Sequence, residues 1–133
     1  MDLAFTPYAA LVAGGLAAAL VAIGSVLMRP DKIGSPALAS ALCGGFAAYT
    51  AVTIGAEGVM PVIANHTANL WGVQVWWDLL FSLTIALFLI APRARAAGMN
   101  LPLWVLLVVA TASIGLLAMC ARLFWLERQT AVT

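Results

Sequence analysis

Charged side chains are scarce in this chain, and three of them sit in or at the edge of long apolar runs: Glu57, Asp78 and Arg122. Asp78 directly follows two tryptophans in "GVQVWWDLLFSLTIALFLIAPRARAAGMN", a stretch whose apolar part is long enough to cross a bilayer. At the helical period Gln74, Asp78 and Ser82 share one face. Thr50, Thr53 and Glu57 do the same in the preceding run. In the last run Thr111, Gly115 and Ala118 form a small-to-polar stripe that ends in Arg122. Charge in lipid costs several kcal/mol, so such groups normally turn towards the bundle interior and find partners. If the third and fourth runs are antiparallel, Asp78 and Arg122 lean towards each other, because helical side chains tilt towards their own N-terminus. An interhelical Asp78–Arg122 ion pair is therefore expected, within a polar network of Thr50, Thr53, Glu57, Gln74, Asp78, Ser82 and Arg122. The other use of these groups is proton transfer, with Glu57 and Asp78 as the candidate catalytic carboxylates.

The remaining chemistry is sparse. His66 stands in "PVIANHTANLWG" without a Cys, His or Asp set around it, so no metal site is expected. Cys43 and Cys120 fall at different depths of their helices, too far apart for a disulfide, and read as inert thiols. There is no nucleophile elbow, phosphate loop, paired-cysteine motif or zinc-protease motif. No cofactor is expected, and nothing in the chain demands catalysis.

The elements that must hold these groups are set by composition. Of 133 residues, 65% are hydrophobic and 8% charged, with a formal net charge of +1. Ordinary soluble domains have about 45–50% apolar and about 25% charged residues. A soluble fold of this size could not cover so much apolar surface, and no basic footprint for nucleic acid is present. The expected fold is all-α, a single integral membrane domain over residues 1–133, built as a four-helix transmembrane bundle. Its spans lie at about 7–28, 36–56, 72–91 and 101–126. Thr6-Pro7 and Ser35-Pro36 each place a capping side chain before a proline at the first helical position. Asn100 can cap the fourth span, and Gly58 and Pro61 close the second. Small residues recur every fourth position at Ala10, Gly14 and Ala18 and at Ala37, Ala41 and Gly45, a spacing that lets helices approach closely.

Lys and Arg near the span ends set the orientation. Arg29, Lys32, Arg93 and Arg95 flank the loops after spans one and three, against Arg122 and Arg128 on the other side. Those two loops are expected in the cytoplasm, with both termini outside. "MDLAFTPYAALVAGG" lacks the basic start of a secretory signal, so the first run is expected to be retained. Trp71, Trp76, Trp77, Trp104 and Trp125 fit interfacial belts, where indole rings anchor at the headgroup level.

The second half, from "NHTANLWGVQVWWDLL" through "APRARAAGMNLPLW" to "MCARLFWLER", resembles a group of small, uncharacterised four-span bacterial membrane proteins. Their pattern is an interfacial aromatic/Gly segment, an Asp-Leu inside a span, and a basic loop before a final helix. The resemblance implies a bacterial inner (cytoplasmic) membrane setting and supplies no activity, so Asp78 and Arg95 correspond to pattern positions only. Two functions are compatible with these residues. One is a non-enzymatic membrane subunit or accessory protein, its partners the lipid bilayer and other membrane subunits or a second copy. The alternative is an isomerase or cyclase acting on an isoprenoid-type substrate, with Glu57 or Asp78 handling the proton. A proton-coupled carrier using Glu57 is a third possibility.

Overall fold

A computed structural model describes residues 7–28 and 33–132. Thr6, Arg29 and Lys32, used above for capping and orientation, lie outside the described residues. The chain divides into two compact units, Met1–Gly34 and Ser35–Thr133. The first contains α1 (Pro7–Met28). The second contains α2 (Pro36–Glu57), α3 (Met60–Thr67), α4 (Leu70–Ala96), α5 (Leu101–Thr111) and α6 (Ser113–Val132). The described residues are all-helical and contain no strand. Three of the helices, α1, α2 and α4, are long and apolar enough to cross a membrane.

The first two spans begin and end almost as the sequence predicts. Ser35 has extended backbone angles, and its hydroxyl accepts the Leu38 N–H at 3.2 Å, which satisfies one of the free donors of α2. Gly58 closes α2 at φ 78°, a region glycine enters without a Cβ penalty, and its N–H donates to Ile54. The expected small-residue row Ala37, Ala41, Gly45 is exposed. The packed face of α2 runs instead through Ala39, Leu42, Cys43, Ala47 and Thr50, and it lies along α6.

The segment between the second and third spans is not a plain loop. α3 forms there, with Pro61 in its first turn, where a missing N–H costs nothing. Asn69 then caps α4 by accepting the Gly72 N–H at 2.9 Å. A Cβ on Gly72 would collide with the Asn65 carbonyl, so α3 rests directly on the first turn of α4 and requires glycine there. α4 also runs past the expected end at residue 91. Pro92 removes one hydrogen bond, yet the helix continues to Ala96, held by the fully buried Ala94 and by Arg93. Gly98, at φ 72°, ends it, with the Met99 N–H returning to the Ala94 carbonyl at 2.9 Å.

The expected fourth span is not one continuous helix. Residues 101–126 do not form one helix but break at Ala112, which has φ 51° and ψ −121°. The Ala112 N–H still reaches the Val108 carbonyl at 2.7 Å, and the ladder of α6 restarts with Leu116 N–H on the Ala112 carbonyl at 3.1 Å. The break is a reversal. A continuous helix would carry Glu127 about 39 Å from Leu101. Glu127 instead touches Arg93, eight residues before Leu101, at 2.6 Å. The chain must double back. Gly115 permits this, because a Cβ there would stand 2.7 Å from both the Leu107 carbonyl oxygen and the Thr111 hydroxyl. The core of this unit is the knot so formed: Ala94, Met99, Val108, Met119 and Leu123, flanked by Leu83, Leu87, Ile90 and Trp104. Periodicity could not reveal the break, since no glycine or proline stands at Ala112 and the apolar run continues on both sides of it.

Candidate functional site

Helix α4 sorts its side chains by face. Leu83, Leu87, Ile90 and Ala94 pack into the core. At about 100° per residue, Asp78 stands 120–180° away from each of them and is exposed, together with Gln74 and Ser82. The three polar residues do share a stripe, as their spacing predicts, but the stripe faces away from the core of its own unit. The expected Asp78–Arg122 ion pair is not formed. Arg122 is also exposed, its guanidinium carbon 4.6 Å from the centre of the Trp125 ring. The physical reason lies in the reversal at Ala112, which carries Arg122 towards the C-terminal end of α4 while Asp78 stays near its N-terminal end.

The other expected members of the polar network stay local. Thr53 donates to the Tyr49 carbonyl at 3.0 Å, one turn back along its own helix, and Thr50 lies on the packed face of α2. Glu57 is exposed at the end of α2. In α3, the His66 Nδ1–H donates to the Val62 carbonyl and the ring meets Trp76 edge-on at 5.2 Å. No group of three metal-binding side chains occurs among the described residues. Cys43 and Cys120 are free thiols, and the Cys43 thiol donates to the Ile114 carbonyl beside the Ala112 break at 3.5 Å.

A charged contact that the structure does make joins Arg93 to Glu127. Nε of Arg93 donates to Oε1 of Glu127 at 2.8 Å and Nη2 to Oε2 at 2.6 Å, a two-pronged fit of guanidinium on carboxylate. The Arg93 guanidinium also lies 5.6 Å from the centre of the Phe124 ring. Glu127 continues the buried line of Gly115, Met119 and Leu123 at four-residue intervals, so the face of α6 that carries the core also carries the ion pair. Sequence reasoning missed this pair. Its members are 34 residues apart, and the only signal was a lone acid among the arginines of the last helix.

The tryptophans divide. Trp71, Trp76, Trp77 and Trp125 expose between 39% and 75% of their surface, as interfacial rings would, whereas Trp104 packs against the core. An apolar groove of about 370 Å³ runs beside α5, lined by Leu103, Trp104, Leu106, Leu107 and Ala110, and neither Glu57 nor Asp78 borders it. Compared with known protein families, curated proteins and solved structures, the chain matches none.

Proposed function

We propose that the protein is a small integral membrane subunit that docks, through α4, against a partner helix in a larger membrane complex or in a second copy of itself. The observation that carries this reading is the uncovered stripe of Gln74, Asp78 and Ser82 on a helix apolar enough to span a bilayer. Within lipid, an ionised carboxylate on an outward face is penalised by several kcal/mol, and a polar stripe on a spanning helix is satisfied by another polypeptide. Small residues at Ala37, Ala41 and Gly45 leave a second exposed face on which helix backbones can approach closely.

The proposed topology departs from the one expected from sequence. α2 and α4 cross, while α5 and α6 together enter and return. α5 spans about 16 Å, roughly half of the hydrocarbon core. The C-terminal end of α6 then belongs on the same side as Arg93 and Arg95. The basic residues of the second unit all gather on that side, which the bias of Lys and Arg assigns to the cytoplasm of a bacterial inner membrane.

The proton-transfer reading receives no support from the geometry. Glu57 and Asp78 are both exposed, and neither lines the groove beside α5.

A photo-crosslinking side chain placed at Gln74 or Ser82 in native membranes tests the subunit proposal. The expected product is a covalent adduct to one discrete protein or to a second copy, lost when Asp78→Leu is added. Adducts to lipid alone from both positions would overturn it.

A further inference from the structure

The connection from α2 into α4 carries no formal charge. Residues 58–77 contain no Asp, Glu, Lys or Arg, where a soluble segment of that length would hold about five. α3 forms within this stretch, between two helices that are each long and apolar enough to cross a membrane. The Asn65–His66 backbone rests on Gly72 of α4, so α3 is fixed to the first turn of that helix. The His66 ring lies on Trp76, and its Nδ1–H is taken by the Val62 carbonyl. On the side of α3 away from Gly72, Met60, Ile63, Ala64 and Thr67 share one exposed face at the helical period. The Thr67 hydroxyl donates to the Ile63 carbonyl at 2.9 Å, which leaves that face without a free donor. Leu70 and Trp71 follow at once, and both are more than half exposed.

We infer that α3 is a lipid-contacting interfacial helix, seated at the boundary between headgroups and acyl chains through Met60, Ile63 and Ala64, with Leu70 and Trp71 beside them. Continuity selects lipid as the occupant. If α2 and α4 both cross the bilayer, the short helix between them is held at the membrane surface, and its outward face continues the apolar surface of its neighbours. The uncharged face matches an acyl boundary and offers no salt bridge to a soluble protein. Trp71, Trp76 and Trp77 stand at the same end, where indole rings anchor at the headgroup level. With no Lys or Arg on α3, attachment comes from apolar burial and these rings rather than from attraction to anionic lipid. Because α3 sits directly on Gly72, its seat also sets the depth of Asp78, about 9 Å further along α4. The inference rests on the membrane placement of α2 and α4 and is independent of any protein partner on the Asp78 stripe.

Spin labelling of the full chain in phosphatidylcholine vesicles tests it. In a Cys43→Ala, Cys120→Ala background, a nitroxide is attached at Met60→Cys, Ile63→Cys, Asn65→Cys or Thr84→Cys, all exposed positions. Relaxation by oxygen, which concentrates in hydrocarbon, is compared with relaxation by a water-soluble nickel chelate. Thr84, midway along α4, reports the acyl region. The oxygen-to-nickel ratio is expected to be several-fold higher at positions 60 and 63 than at 65, and highest at 84. Nickel dominance at 60 and 63, with oxygen dominance at 84, would overturn the interfacial seat and leave the spanning helix standing. Nickel dominance at 84 would remove the membrane placement of α4 and the inference with it. Poor access of both reagents at 60 and 63 would show protein covering the face, and would equally overturn the assignment to lipid.

Discussion

The two ends of the second unit are built differently. At the α4–α5 end, Ala94, Val108, Met119 and Leu123 are at most 1% exposed, a Schellman-type turn closes α4, and a two-pronged ion pair ties α4 to α6. At the α3 end no residue of α3 is buried. Three tryptophans there are exposed, and the two acids contact no basic group among the described residues. One end holds itself together with its own side chains. The other presents aromatic and polar groups that the second unit does not cover.

That contrast can be broken by mutation. Leu123→Ala should cost about 2–5 kcal/mol by opening a cavity in the knot, whereas Ile63→Ala in exposed α3 should stay within about 0.5 kcal/mol. Thermal denaturation in one detergent compares them directly, and similar losses would dissolve the distinction between the ends. A smaller effect is expected at the ion pair. Arg93→Gln and Glu127→Gln should each lower stability by about 1 kcal/mol. The double variant should lose little more than either single change, because Arg93 and Glu127 act as one contact. The smallest change is expected at the other end. Asp78→Asn should leave the melting of the isolated chain within about 0.5 kcal/mol of the original. A large loss would place Asp78 inside the fold rather than on its outward face.

How much of this was legible depended on the range of the interaction. Proline, serine and asparagine act over three or four residues, so the start of α2, the start of α5 and the glycine ending of α2 could be read directly. Apolar run length placed α1, α2 and most of α4 for the same reason. α3 was hidden because eight residues with a mixed pattern resemble a loop. The Asp78 stripe was visible as a stripe, but its direction was not, because direction depends on which face the neighbouring helices choose. The break in the last apolar run was hidden for a related reason. Hydropathy records how apolar a segment is and is blind to a single residue that turns it round. Once Ala112 reverses the chain, Arg122 is carried away from Asp78, and Glu127 rather than Asp78 meets an arginine.

The reversal at Ala112 also bears on how the chain enters its membrane. A straight last helix would have to carry Arg122, Glu127 and Arg128 through the hydrocarbon to reach the far side. On the proposed topology, a segment that dips in and comes back leaves all three on the face where they started, so insertion of α5 and α6 would translocate none of these charged side chains.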